Sequence, residues 1–102
     1  MFEVLAERNR RRILDLLSKD QRPVGELASQ PGISQPAVSK HLRVLRDAGL
    51  VEVRADAQQR IYRLRPEPLR EIDDWLAPYR AVWRDRLQAL ERHLDEMPEE
   101  EP

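Results

Sequence analysis

Apolar residues recur along this chain mostly at intervals of three and four, which predicts a mainly helical protein with one short interruption of alternating residues. Phe2, Leu5 and Ala6, then Ile13, Leu14, Leu16 and Leu17, carry helical spacing through residues 1–18. Asn9 is placed to cap a second helix starting at Arg10, and Gln21-Arg22-Pro23 breaks the pattern. A short helix over Val24, Leu27 and Ala28 follows. It ends at Gln30-Pro31-Gly32, where proline blocks continuation and glycine admits a left-handed turn. Ile33 reads as an apolar plug and Ser34 as the cap of a helix over 35–48, with Pro36 tolerated in its first turn. At about 100° per residue, Val38, Leu42 and Leu45 share one face of that helix. Pro36, Ser39, Lys40, Arg43 and Asp47 share the opposite one, and Gly49 is the stop.

Alternation then takes over. Val51-Glu52-Val53-Arg54 and Arg60-Ile61-Tyr62-Arg63-Leu64, separated by a polar tip at 55–59, predict a β-hairpin. From Pro66 the helical period returns through Leu69, Ile72, Leu76, Tyr79, Trp83, Leu87, Leu90, Leu94 and Met97. Pro78 should kink or restart this segment, and the slipping intervals between Tyr79, Trp83 and Leu87 argue against a regular coiled coil. The expected layout is one domain over 1–97. It comprises N-terminal helices (1–18), a helix-turn-helix (24–48), a hairpin (51–64) and a C-terminal helix or helices (66–97). A disordered acidic tail is expected at 98–102.

Composition narrows the function. A chain of 102 residues has room for one modest core, and 40% hydrophobic with 36% charged residues fits a soluble helical domain. The absence of cysteine removes disulfides, thiolate metal sites and a cysteine nucleophile together. No apolar run approaches the roughly 20 residues of a membrane span, so a cytoplasmic protein without membrane partners is expected. The net charge of −1 conceals a split: 13 Lys and Arg against 8 Asp and Glu in 1–65, then 5 against 11 in 66–102. A basic front with an acidic back is compatible with a polyanionic partner. An enzyme would need a nucleophile with its base, a metal cluster or a glycine-rich phosphate loop. With two separated histidines (His41, His93) and three scattered glycines, no enzymatic activity, cofactor or metal site is expected.

A short helix, a glycine turn, a longer helix and a hairpin follow one another in the order of a winged helix-turn-helix. The buried face of the 35–48 helix would pin it to the body, while the opposite face enters the major groove of B-DNA. Ser34, Gln35, Ser39, Lys40 and Arg43 supply suitable types there: glutamine for adenine, arginine or lysine for guanine, serine for bases or phosphates. His41, on the flank of the apolar face, reads equally as a structural histidine or a phosphate contact. Arg54, Gln59 and Arg60, with Gln58, mark the hairpin as a wing against phosphates or the minor groove. Arg10, Arg11 and Arg12 read as readily as a solvated helix face.

The segments VGELASQPGISQPAVSKHLRVLRDAGLV and VRADAQQRIYRL, preceded by RRRILDLL, resemble the ArsR-type family of bacterial winged-helix repressors over nearly the whole chain. That resemblance implies a homodimer with helix-mediated contacts, operator DNA as the partner, and repression lifted by a signal. Where metal-sensing members carry cysteine motifs on the second helix, this chain has Val24-Gly25-Glu26-Leu27-Ala28. It therefore resembles the branch without evident metal sites, and any small-molecule effector is unidentified.

A C-terminal helix of this length reaches beyond a small winged-helix body, at about 1.5 Å per residue. Its apolar stripe (Leu76, Tyr79, Trp83, Leu87, Leu90, Leu94) is expected to pair with a second subunit, joined by Phe2 and Leu5. Two-fold pairing would set the reading helices about one DNA turn apart, on an inverted repeat. The alternative is a winged helix that binds protein instead of DNA. Such a face carries apolar or aromatic anchors, and this one carries Ser, Gln, Lys and Arg.

Overall fold

The computed structural model describes residues 1–96; the expectations for Met97 and for the 98–102 tail lie outside the described residues. In chain order the elements are α1 (Phe2–Leu5), α2 (Arg8–Lys19), β1 (Arg22–Pro23), α3 (Val24–Ala28), α4 (Gln35–Asp47), β2 (Val51–Asp56), β3 (Gln59–Leu64) and α5 (Glu67–Glu96). The chain divides into two units, Met1–Leu69 and the segment from Arg70 onward.

The first unit is a winged helix-turn-helix built on one core. Ile13, Leu14 and Leu17 of α2, Leu27 of α3 and Val38, Leu42 and Leu45 of α4 bury their side chains with Leu50, Val51 and Tyr62. Ile33 plugs the turn between α3 and α4, and Gly32 in that turn takes φ +81. The helix periodicity in the sequence therefore marks the core correctly.

Two details of α2 and the sheet differ from expectation. Asn9 does not cap α2: the helix starts at Arg8, and Glu7 caps it by accepting the Asn9 backbone N–H at 3.1 Å. A carboxylate at this position also suits the positive end of the helix dipole. Gln21-Arg22-Pro23 is more than a break, since Arg22 and Pro23 pair with Tyr62 and Ile61 as a third, antiparallel strand. The sheet order is β1-β3-β2. The hairpin tip is also shorter than expected: Asp56 pairs with Gln59, leaving Ala57 and Gln58 as the turn. Ala57 takes φ 55, a left-handed conformation that costs a non-glycine residue roughly 1–2 kcal/mol.

The end of α4 is a Schellman motif. Leu50 N–H reaches the Leu45 carbonyl (2.9 Å) and Gly49 N–H the Arg46 carbonyl (3.0 Å), with Gly49 at φ +76. This closure turns the chain directly from α4 into β2. Gly49→Ala should destabilise the first unit by about 1–2 kcal/mol, because alanine must hold the left-handed conformation. Urea denaturation would register it, and an unchanged midpoint would show that the closure tolerates a side chain.

In the second unit, α5 continues through Pro78, so the helix does not restart there. Proline offers no N–H to the carbonyl one turn back. Arg80 braces this turn, reaching the Asp73 carbonyl at 3.2 Å and its carboxylate at 2.5 Å. Trp75 and Tyr79 stack at a 45° tilt, ring centroids 5.0 Å apart.

Candidate nucleic-acid interface

The turn ahead of α4 is held from two sides. Ser34 adopts extended backbone (φ −71, ψ 155), and its Oγ accepts the Ala37 N–H at 3.3 Å, capping α4 as expected. Arg12 donates from Nη2 to the Pro31 carbonyl at 3.0 Å, tying α2 to the turn. One member of the Arg10-Arg11-Arg12 run is thus a brace, and the other two are also engaged inside the protein. Arg11 donates to the carbonyls of Leu5 (2.9 Å) and Ala6 (3.1 Å), and Arg10 donates to His41.

With Val38, Leu42 and Leu45 buried, α4 presents Gln35, Ser39, Lys40 and Arg43 to solvent, and Ser34 is exposed at its start. Gln35, Ser39, Lys40 and Arg43 form a polar ridge on α4, and Ser34 flanks its start as the cap. A helix fixed by its apolar face and polar on the other is a ready insert for a groove.

His41 does not join that ridge: of its two readings, structural histidine or phosphate contact, its surroundings in the fold favour the structural one. Its side chain is 11% exposed, with Nε2 3.3 Å from Glu7 Oε2 and Nδ1 accepting from Arg10 Nε at 3.2 Å. Buried polar groups need partners: Nδ1 takes its hydrogen bond from Arg10 on α2, and Nε2 faces the carboxylate of Glu7 in the turn between α1 and α2. His41 therefore fixes the rotation of α4 against α2 from inside. Its partners lie more than thirty positions away in sequence, so local pattern could not reveal them.

On the wing, Arg54, Gln59 and Arg60 are exposed, as is Gln58 at the tip. Arg54 lies 3.8 Å from Asp56, while Arg63 is paired with Glu52 on the neighbouring strand. Arg60 faces α4 across a cleft that Arg43 and Arg46 also line. Arg46 carries no signal of its own in the sequence, because only the placement of β3 brings it to the same cleft as Arg60. Among the described residues, no three His, Asp or Glu side chains converge as a metal cluster.

The apolar residues assigned to a dimer contact fall in both units. Phe2 is exposed, whereas Leu5 packs partly onto the core of the first unit. In the second unit Leu76, Tyr79, Trp83, Leu87, Leu90 and Leu94 are all exposed on one side of α5, joined by Val82. Trp83 is the most open of them at 65%. No helix is long and apolar enough to cross a membrane among the described residues.

Comparison with known proteins points the same way. The family model described as "Bacterial regulatory protein, arsR family" matches residues 7–53. An HTH-type transcriptional regulator of Mycobacterium tuberculosis is 43% identical over 68 residues, covering 67% of this chain and 64% of that protein. The transcriptional repressor SdpR of Bacillus subtilis is 30% identical over 76 residues, covering 74% of this chain and 84% of that one. The chain thus spans slightly under two thirds of the mycobacterial relative and most of SdpR. Among solved structures, an ArsR family transcriptional regulator superposes with a TM-score of 0.71 at 30% identity, over 81% of this chain and 91% of its own.

Proposed function

This chain belongs to the arsR family of bacterial regulatory proteins, and from that premise we propose that it is a sequence-specific DNA-binding repressor acting as a homodimer on an inverted-repeat operator. The division of α4 into a buried apolar face and an exposed polar ridge carries the reading. In the major groove, Arg43 and Lys40 supply donors for guanine and Gln35 a bidentate partner for adenine. Ser34 and Ser39 reach bases or phosphates, and Arg54, Gln59 and Arg60 bring the wing to the backbone or the minor groove.

The exposed stripe of α5 supports the homodimer. So many adjacent aromatic and aliphatic side chains form an apolar patch of the kind monomers rarely leave in water. A two-fold pair would set its reading helices about 34 Å apart, one turn of DNA. Repression follows the relatives that bear that name, SdpR among them.

Fluorescence anisotropy on DNA from upstream of the protein's own gene tests the reading, with an unrelated duplex as competitor at two salt concentrations. Binding that survives the competitor and weakens with salt is expected. Binding no tighter than to the competitor, there and on duplexes selected from a random pool, would refute sequence-specific recognition. In the same assay Arg43→Ala should cost about 1–3 kcal/mol and relax preference at one base pair per half-site. Unchanged affinity would remove Arg43 from the reading face.

A further inference from the structure

We propose that the cleft between α4 and β3 seats one backbone phosphodiester of DNA, gripped by Arg46 and Arg60 and met from below by the Tyr62 hydroxyl. The inference rests on the DNA-binding reading and adds Arg46 and Tyr62 to it. The cleft has a volume of about 410 Å³, and Ser39, Arg43, Arg46, Arg60 and Tyr62 supply its polar lining together with Asp47.

Two independent features mark it as built for an anion. Most guanidiniums of the first unit are used internally: Arg10 on His41, Arg12 on the Pro31 carbonyl, Arg22 on Glu26, Arg63 on Glu52. Arg43, Arg46 and Arg60 have no hydrogen-bond or ion-pair partner among the described residues, and all three line this cleft. Asp47 is the single carboxylate beside them. Arginine suits the task because its planar fork matches phosphate oxygens in pairs.

The second feature is Tyr62. Its ring sits in the core and the residue is only 8% exposed, yet its hydroxyl makes no hydrogen bond among the described residues. That hydroxyl is not sealed off either, since the one fully buried side-chain polar atom lacking a hydrogen bond among the described residues belongs to Glu7. A phenol on the wall of a basic cleft, nine-tenths buried and unpaired, has a hydrogen bond to give.

Geometry selects a DNA phosphate as the occupant. With α4 in the major groove and the hairpin at the neighbouring minor groove, the sugar–phosphate ridge dividing the two grooves falls between helix and wing. The cleft lies between those same elements. Arg46, on the last turn of α4, is then a positioning contact that carries no sequence preference.

The test compares the full-length wild type with Arg46→Gln and Tyr62→Phe. Each is titrated by anisotropy onto a duplex that the wild type selects from a random pool, and onto a scrambled duplex, across a potassium chloride series. Arg46→Gln should weaken both duplexes alike, by about five- to tenfold, and lower the slope of log affinity against log salt by about one. Tyr62→Phe keeps the ring in the core and removes no charge, so about a two- to threefold loss with an unchanged slope is expected. Thermal melts of both variants should match the wild type.

Unchanged affinity and slope in Arg46→Gln, while the wild type still discriminates, would discard the phosphate seat and leave sequence reading intact. Loss of discrimination in Arg46→Gln would make it a base reader and overturn the assignment. A wild type that binds no duplex even at low salt would remove both ideas. Inorganic phosphate at matched ionic strength should compete no better than chloride. Displacement of DNA from the wild type, but not from Arg46→Gln, would assign the cleft to the free anion instead.

Discussion

Leu45→Ala is expected to destabilise the first unit by about 2–5 kcal/mol, the usual cost of deleting a buried leucine side chain and leaving its cavity. Leu45 is fully buried on the inner face of α4, and its backbone carbonyl receives the Leu50 N–H that closes the helix. Leu50 is itself fully buried in the same cluster, so the substitution loosens the packing that accompanies this closure. Small domains hold only about 5–15 kcal/mol in total, so this one change consumes a large fraction of the stability. Urea denaturation followed by circular dichroism measures it. A loss below about 1 kcal/mol would mean that α4 is anchored by something other than its apolar face.

Trp83→Ala is expected to weaken self-association by about 2–4 kcal/mol, the range of an interface hot spot, or roughly thirtyfold and upward in dissociation constant. Trp83 lies midway along the exposed stripe of α5, between Tyr79 and Leu87, and is the most solvent-open of its large apolar residues. Aromatic residues near the centre of a patch carry a disproportionate share of the binding energy. Sedimentation equilibrium over a range of concentrations gives the constant. A variant that stays fully dimeric at low micromolar concentration would place the contact elsewhere. The melting of the first unit, followed separately, should change far less than the association constant.

The sequence makes the periodic part of this protein legible and the long-range part opaque. Val38, Leu42 and Leu45 declare the inner face of α4 because a helix repeats its surface every few residues, and all three are buried. The Ser34 cap and the Gly49 stop are equally local, and both appear as read. β1 leaves no trace in the pattern because a two-residue strand has no period, and Arg22 and Pro23 become a strand only by meeting Tyr62 and Ile61, far along the chain. The Glu7 cap is not legible locally, because glutamate is not among the residue types that favour this position. At the candidate site the polar ridge could be read from a helical wheel, whereas the inward turn of His41 and the facing of Arg46 with Arg60 required the folded chain. Alanine is a poor signal for a left-handed turn, so the sequence pattern predicts a longer loop than the tight hairpin at Ala57.

The margins of the small sheet bear on how the protein behaves when concentrated. An unpaired strand edge is a template for another chain, and runaway pairing there leads to fibres. Here one margin is only Arg22 and Pro23, and proline has no N–H with which to recruit a neighbour. The other margin, β2, alternates Glu52, Arg54 and Asp56 with its apolar residues, so an approaching strand meets charge. Edge-to-edge aggregation is thereby discouraged on both sides, and solutions dense enough for self-association to be measured should stay clear of amyloid.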